Sequence, residues 1–203
     1  MGRQSLPVAA VGAGVIRWFR AYTASDDPHV SACNTIAMVI AWNQPYYPLY
    51  LWWIVGSDAR VGIPDAFSGL LFAAVPAIAR RSSLLGRIAM VVFSVANVVF
   101  CSMMLGEAAG VQLLFLPCGM LAAILFTWRE RFVMVAMTSL PLVAWLLTRG
   151  RLDRPPVRFP VDAYASLFTL NAVSAGALMV FFGWMLAGIN RGVSVRPDHT
   201  NRI

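Results

Sequence analysis

Long apolar stretches separated by short polar segments dominate the chain. Six stretches stand out, at residues 31–55, 63–79, 84–105, 111–127, 132–148 and 163–189. Each is close to the length of about 20 residues that a helix needs to cross a bilayer. Because lipid offers no hydrogen-bond partners, every backbone group must be satisfied within its own segment, which predicts helices. The stretches are too continuously apolar for the alternating strands of a membrane barrel.

The pattern therefore predicts an all-α fold, a polytopic integral membrane bundle of six transmembrane helices. Composition agrees, because 59% of the residues are hydrophobic and 12% are charged, against about 25% charged residues in soluble domains. We divide the chain into an N-terminal segment (1–30), a transmembrane domain (31–190) and a tail (191–203). Residues 11–22 are a candidate amphipathic helix at the membrane surface; the alternative is a disordered tail.

The orientation is predicted from the basic residues, all sixteen of which are Arg. Eleven fall on one side of the predicted bundle: Arg3, Arg17, Arg20, Arg80, Arg81, Arg87, Arg129, Arg131, Arg191, Arg196 and Arg202. Five fall on the other side: Arg60, Arg149, Arg151, Arg154 and Arg158. The positive-inside rule then places both termini in the cytoplasm of a bacterium, with the bundle in the inner membrane. The four Arg between the fifth and sixth stretches oppose this orientation.

The aromatic segment WNQPYYPLYLWW, residues 42–53, combines two different features. Trp52 and Trp53 are typical of the aromatic belt at a membrane surface. Counting back from them at about 1.5 Å per residue places Asn43 and Gln44 near the middle of the bilayer.

Pro45 lacks a backbone N–H and should kink the first helix at this depth. One interpretation is that Asn43 and Gln44 bond to the carbonyls that the kink frees. The other is that the kink opens a pocket, lined by the two amides together with Tyr46 and Tyr47.

Further polar residues occur inside the third and sixth stretches, at Asn97 and Asn171. Polar side chains at this depth face the bundle interior, where they either bond between helices or line a cavity. The candidate ligand-binding residues are thus Asn43, Gln44, Tyr46, Tyr47, Asn97 and Asn171. Small residues permit close helix packing and form a candidate interface to a partner or a second copy: Gly69, Ala73, Gly176 and Gly183.

Two acidic residues are explained by their positions at a helix start and in a turn. Asp65 opens the second helix, where a negative charge suits the helix dipole. Glu107 lies in the short turn between the third and fourth helices and is expected in water.

Catalytic signatures are absent from the sequence: no Ser-His-Asp set, HExxH motif or phosphate-binding loop is recognisable. The histidines, His29 and His199, lie in the flanks rather than at the depth that a haem or a catalytic metal requires. We therefore expect no catalytic residues, no cofactor and no metal. The net charge of +7 lies at segment ends rather than in a basic stripe, so nucleic acid is not expected as a partner.

The third and fourth stretches read NVVFCSMMLGEAAGVQLLFLPCGMLAAILFTWRER, and the sixth contains LFTLNAVSAGALMVFFGWMLA. This pattern resembles the six-helix membrane anchor of bacterial class III adenylate cyclases. The matching positions are Gly106, Gly110, Pro117, Phe126, Arg129, Glu130, Arg131 and Asn171. In that family a cyclase domain follows the sixth helix, whereas fourteen residues follow it here. The resemblance therefore implies a membrane anchor with a fixing or sensing role, without the cyclase domain.

These observations favour a non-enzymatic membrane protein, an accessory or sensory subunit of a larger complex. Its expected partners are membrane lipids, one of which is a candidate ligand, and a membrane protein or further copies of itself. The alternative is a small-molecule transporter or channel, with the polar residues lining its path.

Overall fold

The structure is a computed structural model, and it describes residues 8–152 and 155–194. These residues are almost entirely helical. In chain order the α-helices are α1 (Val8–Thr23), α2 (Pro28–Asn43), α3 (Tyr47–Val55), α4 (Ile63–Arg81), α5 (Ser83–Leu105), α6 (Phe115–Leu125), α7 (Arg131–Thr148) and α8 (Val161–Ser194). Short 3₁₀ segments lie between several of them: Gln44–Tyr46, Gly56–Gly62, Glu107–Ala109, Val111–Leu114 and Trp128–Glu130.

Four helical segments are long and apolar enough to cross a membrane: Ile63–Arg81, Ser83–Leu105, Trp128–Thr148 and Val161–Ile189. They correspond to the second, third, fifth and sixth predicted stretches. Large apolar side chains on α7 and α8 point outward, as those of Phe132, Val180 and Trp184 do. A surface of this kind suits lipid rather than water, and the chain is a multi-pass membrane protein.

The two remaining stretches differ from the expectation of a single long helix. The first is divided into α2 and α3 by the 3₁₀ turn at Gln44–Tyr46, where Pro45 cannot donate a backbone hydrogen bond. The fourth consists of the 3₁₀ segment Val111–Leu114 followed by α6, and it ends when Phe126 turns to extended angles. At about 1.5 Å per residue, α6 alone is shorter than the hydrocarbon core of a bilayer.

The segment Gly56–Gly62 folds back along α3 instead of leading away from it. A Cβ atom at Gly62 would lie 2.7 Å from Cδ2 of Leu51 and 3.9 Å from Cα of Pro48, so the backbone at Gly62 packs against α3. As a result, α4 starts beside the middle of α3 rather than beyond its end. This placement puts the first turn of α4 next to the 3₁₀ turn at Gln44.

One end of the bundle is organised around the buried side chain of Arg87 on α5, and we call it the Arg87 end. The guanidinium forms a bidentate pair with Glu130, at 2.6 and 2.7 Å, and donates to the carbonyl oxygen of Leu125 at 2.9 Å. His29 Nδ1 lies 2.9 Å from the carbonyl oxygen of Ile124. These contacts satisfy carbonyls at the end of α6 that have no partner within their own helix.

Arg87 was counted among the eleven Arg of the predicted inner side, but its side chain is only 4% exposed and pairs with Glu130. The positive-inside argument counts free charges near the membrane surface, and Arg87 is not one of them. Removing it from the count still leaves most of the Arg on the predicted inner side.

The opposite end contains the α5–α6 turn, and we call it the Glu107 end. Gly106 and Gly110 adopt φ of 82° and 74°, which a residue with a side chain rarely tolerates. Glu107 is half-buried, and its Oε1 accepts a hydrogen bond from the backbone N–H of Gly150 at 2.6 Å. The carboxylate thus connects this turn to the segment after α7.

Helix α1 covers the region predicted to lie at the membrane surface. Tyr22 donates to the carbonyl of Ala73 at 2.9 Å, and Arg80 stacks over the Tyr22 ring and donates to its carbonyl. Val15, Ile16 and Trp18 are exposed on the same helix. The predicted tail falls partly on the end of α8, and its residues 195–203 lie outside the described residues.

Replacing Glu130 by Ala should destabilise the bundle by about 3 kcal/mol, because the buried guanidinium of Arg87 would lose its counter-charge. The measurement is the unfolding free energy from an SDS titration in mixed micelles. Asp26→Ala is the control, since it removes the same charge from an exposed position and should have little effect. Equal stability of the two variants would contradict the structural role of the pair.

Candidate functional site

A cavity of about 520 Å³ lies inside the bundle, between α2, α4, α5, α6 and α8. Its volume is within the range of about 300–1,000 Å³ that small-molecule pockets occupy. Most of its wall is apolar, with Phe72, Val98, Leu121, Leu178 and Phe182 among the lining residues. A few polar groups interrupt this wall, which is the composition that gives ligand pockets their orientation and specificity.

Five of the six predicted ligand-binding residues line this one cavity: Asn43, Gln44, Tyr47, Asn97 and Asn171. They come from α2, the 3₁₀ turn after it, α3, α5 and α8. The sixth, Tyr46, does not line the cavity; its ring points outward, is 42% exposed and lies near Trp42. The two tyrosines face different surroundings because they are adjacent at the helix break.

Asp65 is the centre of one polar wall. Its side chain is buried, and Oδ1 accepts from the thiol of Cys101 at 3.1 Å and lies 3.5 Å from the hydroxyl of Ser68. Gln44 donates from Nε2 to the Ser68 hydroxyl at 2.7 Å. The Asn97 amide also contacts the carboxyl group. A chain of hydrogen bonds therefore connects the helix break to the first turn of α4 and to α5.

The side-chain hydrogen bond of Gln44 is not the one that the first interpretation of the kink predicts. Its side chain does not return to a carbonyl of its own helix but bonds across to α4. The two helices approach closely here, because a Cβ at Gly69 would lie 3.1 Å from the carbonyl oxygen of Ala41. The helix break at Gln44–Tyr46 therefore forms part of the cavity wall.

Asn171 forms the second polar wall, near the Glu107 end. Its Nδ2 donates to the carbonyl oxygen of Ala109 at 2.9 Å, and its Oδ1 lies 3.5 Å from the hydroxyl of Tyr47. Asn171 therefore both bonds between helices and lines the cavity, which were the two alternatives for the polar residues at depth.

The cavity opens on the outer surface of the bundle, between α2 and α8. Val39, Trp42 and Asn43 on α2 line it and are exposed, and so is Ala177 on α8. Asn43 lies about 22 Å along the segment that starts at Pro28 and about 18 Å from its end at Val55, at 1.5 Å per residue. The opening therefore lies near the middle of residues 28–55.

The predicted interface residues occupy different environments. Gly69 is buried against α2 within the chain, and Ala73 is half-buried beside Tyr22. Gly176 is exposed, with no other side chain near it, and Gly183 lies beside Met120. Of the four, Gly176 is the one whose surface is open to a partner.

Sequence reasoning missed several polar residues of the cavity, among them Asp65, Ser94, Cys101 and Ser174. Asp65 was correctly placed at a helix N-terminus, but its position in the cavity wall was not predicted. A carboxyl group inside an apolar stretch is itself a signal of function. In residues 8–152 and 155–194, no three His, Cys, Asp or Glu are grouped so as to bind a metal ion.

The MASE7 family model matches residues 20–190. The chain belongs to the MASE7 family. MASE7 is a family of membrane-associated sensor domains. The match covers every helix that lines the cavity, and no curated protein matches the chain.

In this MASE7 domain, Asn171→Ala should lower the unfolding free energy by about 1–2 kcal/mol, because the buried carbonyl of Ala109 would lose its donor. Thr169→Ala is the control, because Thr169 is exposed and bonds only to the carbonyl of Ala165 in its own helix. SDS titration of both variants would test this, and an equal loss for the two would show that the interhelical bond is unimportant.

Proposed function

We propose that this MASE7 domain is a sensor that binds a small, largely apolar molecule taken up from the bilayer. The observation that carries the proposal is the cavity of about 520 Å³, with an apolar wall, two polar clusters and an opening between α2 and α8. With residues 28–55 crossing the bilayer, as proposed below, the opening would lie at mid-depth, and a molecule that dissolves in the membrane would reach it without crossing water. Aqueous solutes would have no comparable route.

We infer that a ligand in the cavity can also change a contact between helices. Gln44 lies in the 3₁₀ turn between α2 and α3, and its hydrogen bond reaches Ser68 beside Asp65 on α4. A ligand that competes for these groups would change the contact between the helix break and α4. Interrupted helices of this kind concentrate at functional sites, since the freed backbone groups need outside partners.

We infer further that the domain acts through another protein, as an accessory or sensory subunit, and has no catalytic activity of its own. We also propose six crossings with both termini in the cytoplasm of a bacterium, in the inner membrane. The two additional crossings would be residues 28–55, as α2 and α3 together, and Val111–Leu125. The second is short, and local thinning of the bilayer can accommodate such a segment.

Binding can be tested with n-decanol that carries a photoreactive diazirine, added to the protein in lipid nanodiscs. We expect saturable labelling of residues around the cavity, mapped by mass spectrometry and displaced by unmodified n-decanol. Ala177→Phe should reduce this labelling by about tenfold, because a ring at the opening would obstruct entry.

Ala187→Phe is the matched control, since Ala187 is also exposed on α8 but does not line the cavity. It should label like the wild type. Non-saturable labelling spread over the lipid-facing residues, or equal loss in both variants, would overturn the proposal.

A further inference from the structure

A buried carboxyl group faces the cavity in an apolar setting. Asp65 is 3% exposed and belongs to the first turn of α4. Because Gly56–Gly62 folds back along α3, this turn lies beside Gln44 rather than at the end of the bundle. Carboxyl groups at such positions are costly to bury, and they are found where they serve a function.

The surroundings of Asp65 contain hydrogen-bond donors but no positive side chain. Among the described residues, no Arg or His lies within ion-pair distance of it, and none of the described residues lining the cavity is basic. Burial opposes ionisation of the carboxyl group, whereas the positive end of the α4 dipole and an incoming ammonium group favour it. Arg87, by contrast, has its counter-charge in Glu130.

The carboxyl group also has acceptor capacity left. Cys101 donates to Oδ1, which also lies within reach of the Ser68 hydroxyl, and the Asn97 amide contacts the carboxyl group. An ionised carboxylate has about four acceptor positions on its two oxygens. A further donor that entered the cavity would therefore be bound in a region of low dielectric constant, where such bonds are strong.

We propose that Asp65 recognises the head group of the ligand, and that the cavity takes a long-chain molecule whose head donates a hydrogen bond, a hydroxyl or an ammonium group. The inference rests on the proposed function and gives its ligand a chemical class. The chain of the ligand would lie on the apolar wall formed by Phe72, Leu121 and Phe182. An anionic head group would be repelled by the ionised form of Asp65 and would find no basic partner among the described lining residues.

The test is competition against the diazirine-bearing n-decanol by four molecules of equal chain length: n-decanol, n-decylamine, n-decane and decanesulfonate. For the wild type, n-decanol and n-decylamine should compete at concentrations about tenfold lower than n-decane or decanesulfonate. Asp65→Asn should abolish the advantage of n-decylamine and relieve the exclusion of decanesulfonate. Asp162→Asn is the matched control, an exposed acid in the first turn of α8 that should keep the wild-type order.

The outcomes separate the two proposals. Equal competition by all four molecules, strongest competition by decanesulfonate, or an unchanged order in Asp65→Asn would overturn the role of Asp65 and leave the sensor cavity standing. Absence of saturable labelling in the wild type would overturn the cavity as a binding site. The wild-type order is informative even if Asp65→Asn does not fold.

Discussion

The ion pair between Arg87 and Glu130 is the constraint on which the arrangement of the bundle depends. A guanidinium in an apolar interior is tolerated only with a counter-charge and further acceptors, and Arg87 has both in Glu130 and the Leu125 carbonyl. The same contacts fix the end of α6 against α5 and the start of α7. Since α5 and α6 supply the cavity residues Asn97, Cys101 and Leu121, the pair also fixes two walls of the site.

The cavity depends on polar residues bonding across helices rather than within one helix. Gln44 reaches Ser68 on α4, and Asn171 reaches Ala109 in the α5–α6 turn. Each hydrogen bond fixes the distance between one cavity wall and a neighbouring element. A core of apolar side chains alone would be free to close the space, because it would satisfy no directional contacts.

The local pattern of the sequence predicted the helical stretches, the break at Pro45 and the cavity residues from Asn43 to Asn171, because polar residues in apolar segments are visible without a structure. It did not reveal Asp65 as part of the site, since that depends on how Gly56–Gly62 packs on Leu51. Arg87 was misjudged for a related reason: its partner Glu130 lies 43 positions away. Contacts between distant segments decide both residues, and no local periodicity encodes them.

In the proposed sensor, helix α8 is the element best suited to carry a response from the cavity to the proposed partner protein. It bonds to the Glu107 end through Asn171, borders the opening at Ala177, and continues to Ser194. At about 1.5 Å per residue its 34 residues span roughly 51 Å, well beyond a hydrocarbon core of about 30 Å. A helix of this length moves as a stiff body, so a small displacement at the opening would reappear outside the membrane. Gly176 lies on the exposed side of α8, where the proposed partner could pack a helix closely.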